Sequence, residues 1–213
     1  RTVYFLNSKR NIGEDAWDVS EEQNGRVLAW TKEEEGGLLG LYIAADGNII
    51  ANRDSSYLFG SYGNLENIFG LEFLQTCQTE DMNGMFCGCK SLKTLDLSRF
   101  DTSQVKTMID IFKDCSSLTE LDISNFDIRQ IKEDYFSFEE YTGLSNLLNV
   151  KVKQSAKLWP STIRELAKLG ESYYQLEEAK MDIRAFKGYG ISLSEREAQW
   201  FQKAAASGEK EAQ

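Results

Sequence analysis

The sequence predicts an α+β fold. Its centre is a short solenoid of coils repeating every 26 residues, with parallel stacked strands; an antiparallel β cap precedes it and an α-helical repeat region follows. Three observations predict this. Met82, Phe86, Cys89, Leu92, Leu95, Phe100 and Val105 return 26 positions later as Met108, Phe112, Cys115, Leu118, Leu121, Phe126 and Ile131. Each copy ends in an apolar alternation, Leu95-Asp96-Leu97 and Leu121-Asp122-Ile123, which is the pattern of a half-buried strand. Beyond Pro160 the apolar period changes to that of helices.

A worn third copy lies upstream, where Leu58-Phe59, Leu65, Ile68 and Phe73 precede Met85-Phe86, Leu92, Leu95 and Phe100 by 27 positions. About three coils are the minimum that buries a continuous core. Stacking in parallel sets each leucine over its counterpart, ~4.8 Å apart. Asp101-Thr102-Ser103 offers short polar side chains for a helix start, and Val105, Met108, Ile111 and Phe112 form one face of a short helix.

Three units follow in order: a β cap over residues 1–57, the repeat stack with a degenerate closing coil over 58–157, and the helical region over 158–213. In the first, Val3–Leu6, Val27–Trp30 and Leu41–Ala44 are strand-like, and Asp46-Gly47-Asn48 predicts a hairpin turn before Ile49-Ile50. Lys32–Gly37 is expected as a solvated loop. The cap covers the apolar end that a stack otherwise exposes. Trp17 and Trp30 supply its bulk or, on a sharper reading, a carbohydrate-binding pair. In the second unit, Val150 and Val152 fit a last strand. In the third, Thr162 with Glu165 and Ser194 with Glu197 are capping boxes opening two helical faces.

Composition narrows the function. The chain has 213 residues and a formal charge of −10, which disfavours nucleic acid and anionic membrane surfaces as partners. It has no histidine, so Ser–His and Cys–His catalysis and histidine-ligated metals are excluded. No apolar run reaches the ~18 residues of a membrane helix. Of four cysteines, Cys89 and Cys115 share one repeat position. They are either a ladder of buried thiols or a disulfide. Cys87-Gly88-Cys89 lacks zinc or redox spacing. No cofactor is expected.

Asp96 with Asp122, and Asp101 with Asp127, form two acidic columns, read either as a calcium ladder or, without a cation, as solvated carboxylates pointing outward from the strands at 96 and 122 and turn- or helix-capping carboxylates at 101 and 127. A glycosidase-like pair of carboxylates is the enzymatic alternative. The outward strand positions Thr94, Asp96, Ser98, Glu120, Asp122 and Ser124 are the candidate partner-binding face, because repeat proteins bind through such faces.

Two resemblances add to this reading. Trp17-Asp18-Val19-Ser20, Ser55–Phe59, Met82-x-x-Met85-Phe86, Cys89-x-Ser91-Leu92 and Leu95–Ser103 resemble the BspA-like bacterial leucine-rich repeat surface proteins over about residues 15–131. That resemblance implies a displayed or secreted protein that engages other proteins. Ala167-x-Leu169-Gly170, Tyr173-Tyr174, Gly188–Ile191, Ala198, Trp200-Phe201 and Lys203–Ala205 resemble a Sel-one-like repeat, a relative of the tetratricopeptide repeats. This second resemblance implies helix pairs that continue past Gln213 and, as an alternative function, an intracellular scaffold. The expected function is therefore a non-enzymatic protein–protein interaction module of unknown oligomeric state.

Overall fold

The structure is a computed structural model that describes residues 1–128, 130, 131, 144 and 149–151. The expected helices of 158–213, with their capping boxes, lie outside the described residues.

The N-terminal part is a five-stranded sheet. It comprises β1 (Thr2–Leu6), β2 (Trp17–Asp18), β3 (Val27–Glu34), β4 (Leu38–Ala45) and β6 (Asn67–Phe69) in the order β2-β3-β4-β1-β6, while β5 (Ile49–Ile50) belongs elsewhere. The β3–β4 hairpin turns at Gly36 and Gly37, both at positive φ, so of the expected loop 32–37 the first half, 32–34, is strand and the second half, 35–37, is the turn. β1 runs parallel to both β4 and β6, so the sheet is mixed and not the antiparallel cap expected. Gly47 does turn the chain, at φ 105°, but no hairpin follows: β5 leaves the sheet and pairs in parallel with β7 (Leu74–Gln75).

The inner face of this sheet carries Val3, Phe5 and Ala45 into the main core. Phe5 meets Phe59 edge-on at 6.0 Å between ring centroids, and Phe59, Phe86 and Phe112 then stack with centroids 5.2 and 6.1 Å apart. Four aromatic rings thus run as one column from the sheet into the repeats. Truncating such a ring to alanine costs about 3–5 kcal/mol.

β8 (Thr94–Asp96), β9 (Glu120–Asp122) and β10 (Asn149–Lys151) form a separate parallel sheet in which Leu95 pairs with Leu121 and Leu121 with Val150. The predicted register of equivalent residues is therefore present here. The predicted class is not. The described residues contain no α-helix, only the 3₁₀ turn Leu71–Phe73, and their strands are divided among three sheets instead of one continuous solenoid stack. β6, the strand of the worn copy, pairs with β1 and not with β8.

Where helices were expected, each layer carries a ladder of turns. The layers run 54–63, 81–89 and 107–115. In the second, the N–H groups of Met85, Cys87 and Cys89 donate to the carbonyls of Met82, Gly84 and Phe86 three residues back. The N–H groups between them donate to the next layer: Met82 to Thr107, Gly84 to Ile109, Phe86 to Ile111 and Gly88 to Lys113, at 2.7–3.0 Å. The first layer bonds to the second in the same way, Tyr57 to Asn83, Phe59 to Met85 and Ser61 to Cys87. Left-handed backbone recurs at equivalent positions four residues apart: Tyr57, Gly84 and Asp110, then Ser61, Gly88 and Asp114, with φ of 54–76°. An α-helix has no place for such residues. Repeated three-residue turns also face apolar side chains inward at spacings of three and one, which is why the pattern imitated a helix.

The extra residue of the first layer lies between Ile68 and Leu74. Thr76 holds the place of Thr102, so Leu74, 3% exposed, takes the place of Phe100 that was assigned to Phe73. Gly70, at φ 77°, lets the chain pass β1 there; a Cβ at Gly70 would lie 2.1 Å from the Phe5 carbonyl oxygen.

Candidate functional site

The alternation of the repeat strands decides which side chains reach the surface. Leu95 and Leu121 are buried, so their neighbours on either side point away from the core. Thr94 lies beside Glu120, and Asp96 beside Asp122, by the parallel register. Thr94, Asp96 and Glu120 are exposed, and Ser98 and Asp122 are half-exposed.

Ser124 departs from the prediction. It is 2% exposed, and its hydroxyl donates to Asp122 Oδ1, which also accepts the Ser124 N–H at 3.0 Å. The strand has ended by this point, and the turn folds Ser124 under the carboxylate. Asp96 Oδ1 likewise accepts the Ser98 N–H at 2.9 Å. The site is thus a small acidic face of five surface side chains, with both aspartates fixed by the turns they cap.

The other candidates take structural positions. Asp101 Oδ1 caps the Ser103 N–H at 3.0 Å, so the expected helix start is a turn. Among the described residues no three His, Cys, Asp or Glu side chains are placed to share a metal ion. Cys89 and Cys115 are free and buried, and each thiol donates to the phenylalanine carbonyl of the layer before, Phe59 and Phe86, at 3.1 Å. Burial pushes the Cys89 thiol up to about 12 and raises that of Cys115 too, which keeps both protonated and inert. Trp17 pairs with Ala29, so it lies on the face of the sheet opposite Trp30. Trp17 is exposed and Trp30 is buried beneath the loop at Gly13, and the two form no carbohydrate platform.

The sequence reading missed an aromatic row on the outer face of the N-terminal sheet. Trp30, Tyr42, Tyr4 and Phe69 stand in register on β3, β4, β1 and β6 with centroids 4.6–5.5 Å apart. Glu34 accepts from the Tyr4 hydroxyl at 3.0 Å and from that of Tyr42. The hydrogen bond to Glu34, with burial, pushes the Tyr42 phenol up to about 12. The row stacks its rings against one another and turns their edges outward, which makes it a brace and not a stacking platform. Sequence alone hid it because the order of the strands was needed to bring the four rings together.

A second cross-layer contact was also unread. Arg53, Glu80 and Lys106 occupy one repeat position, and Glu80 pairs with Arg53 at 3.2 Å and with Lys106 at 2.6 Å. The column is exposed to solvent and adds little to stability. Its signal was present as a charge of alternating sign at intervals of 27 and 26.

A family model described as "Mycoplasma protein of unknown function, DUF285" matches residues 54–168, just over half of the chain. No curated protein and no solved structure matches this chain.

Proposed function

This chain belongs to the DUF285 family, and we propose that it is a non-enzymatic protein–protein interaction module, displayed at the cell surface or secreted, that meets its partner through the outward face of β8 and β9. The observation that supports this most is the register placing Thr94 beside Glu120 and Asp96 beside Asp122. It presents a fixed grid of polar groups on strands whose other face is sealed in the core, and such a rigid grid lowers the ordering cost of binding. The carboxylates call for a basic or polar partner patch, in keeping with the charge of −10. The resemblance to BspA-like surface proteins supports the same reading. Ser124 is left out of the face because it is buried.

The experiment is affinity capture of partners from the native cell surface. Wild type is compared with the double variant Thr94→Arg, Glu120→Arg and with Gln104→Arg, a control at another exposed position. The same protein is recovered by wild type and control and lost with the double variant. Equal recovery by all three removes this face from the account. The double variant leaves Asp96 and Asp122 intact because they hold the turns.

One observation favours the alternative, an intracellular scaffold. Cys77 carries an exposed free thiol, a group that oxidises readily outside the reducing cytosol. Fractionation of the native cells separates the two compartments.

A further inference from the structure

The first layer of the turn ladder is covered on only one half. At the buried half, Phe59 and Leu65 are 2% and 5% exposed beneath the N-terminal sheet. On the other half, Leu58 is 41% exposed while its equivalents Met85 and Ile111 are 0%. Tyr62 is 48% exposed while Cys89 and Cys115, at the same position, are 0%. Equivalent side chains are therefore sealed in the second and third layers and bare in the first.

The backbone shows the same contrast. The carbonyls of Asn83, Met85 and Cys87 each accept an N–H from the first layer, and those of Ile109, Ile111 and Lys113 each accept one from the second, all within 2.6–3.0 Å. The equivalent carbonyls of the first layer belong to Ser56, Leu58 and Gly60, and they accept no hydrogen bond from the described residues. All three lie on the side from which the preceding layer would donate. The edge is thus a row of acceptors at alternate residues, flanked by an aliphatic and an aromatic side chain.

We infer that this edge docks a peptide segment of a partner protein, which adds one further turn-ladder layer to the fold. The two junctions inside the molecule define what fits. The occupant donates N–H groups from alternate residues, takes left-handed backbone at positions four apart, as Gly84 with Gly88 and Asp110 with Asp114 do, and sets an apolar side chain over Leu58 and Tyr62. Glycine, asparagine and aspartate are the residues suited to those positions. The first layer of a second copy does not meet this requirement, because its N–H groups at 57, 59 and 61 are already bonded to its own second layer. This edge is separate from the strand face of β8 and β9.

The test is a titration of the full chain, labelled for amide NMR, with synthetic peptides of residues 54–65 and 107–118, the latter with Cys115→Ser. The expected result is saturable one-to-one binding of at least one peptide below about 1 mM. Its shifts centre on the amides of 56–62, and Leu58→Lys weakens it about tenfold or more. Absence of saturable shifts there with both peptides overturns the inference, as does binding that Leu58→Lys leaves unchanged. Shifts at 56–62 that follow protein concentration without peptide also overturn it, because they assign the edge to a second copy.

Discussion

Single hydroxyls and carboxylates join the layers of this protein, and their effects are separable. Thr76 is 1% exposed, accepts the Asp101 N–H at 2.9 Å and donates to the Asp101 carbonyl at 3.0 Å; Thr102 repeats both bonds with Asp127. Thr76→Val keeps the shape and removes both bonds. It is expected to lower stability in urea unfolding by about 1–3 kcal/mol. Thr94→Val, at an exposed strand position, should stay within about 0.5 kcal/mol of wild type. Tyr42 gives a prediction in pH. Its phenol is raised from the ordinary value of 10.0 to about 12 by the Glu34 hydrogen bond and by burial. Raised in the fold, it contributes stability in full below pH 10, and that contribution is lost as pH rises through about 12. Phenolate absorbance should show a tyrosine ionising near 12 that is Tyr42, and Glu34→Gln should bring it back toward 10. An unchanged titration in Glu34→Gln would detach the shift from that carboxylate.

Within the elements, the turn ladder separates this fold from the one the sequence pattern suggested. A helix hydrogen-bonds along its own axis, whereas the turns of the first two layers direct alternate N–H groups into the layer that follows. Gly84 tests the arrangement. Its φ is 58°, and a Cβ there would lie 2.3 Å from the Tyr57 ring. Gly84→Ala therefore imposes left-handed strain and a clash together, and thermal unfolding should report a loss of about 1–3 kcal/mol. In a helix the same substitution would stabilise by roughly 0.5–1 kcal/mol, so the sign of the change distinguishes the two. The left-handed positions were visible in advance as Gly84, Gly88, Asp110 and Asp114, residue types that tolerate positive φ, at a spacing of four. The apolar spacing masked them, because two turns in succession and one helical face bury the same residues.

Across the whole molecule, one core runs from the N-terminal sheet through the repeats, from Val3 to Leu144. Thiol labelling should reflect it: Cys77 reacts in the native protein, Cys87 more slowly, and Cys89 and Cys115 only on unfolding. Fast native labelling of Cys89 would mean that the layers open readily. The repeat period and the pairing of Leu95 with Leu121 were legible because one fixed interval aligns many buried residues at once. The mixed topology of the first sheet was not legible, since β1 joins β4 and β6 across long separations that no local pattern encodes. Of the candidate face, Thr94, Asp96 and Glu120 followed from alternation, and Ser124 failed because alternation stops where the strand does. The most direct measurement of the layered backbone is the scalar coupling across hydrogen bonds in NMR, which names the acceptor of each amide. The account predicts that the Phe86 amide couples to the carbonyl of Ile111 and the Phe59 amide to that of Met85. Coupling of Phe86 to Met82, four residues back as in an α-helix, would contradict it.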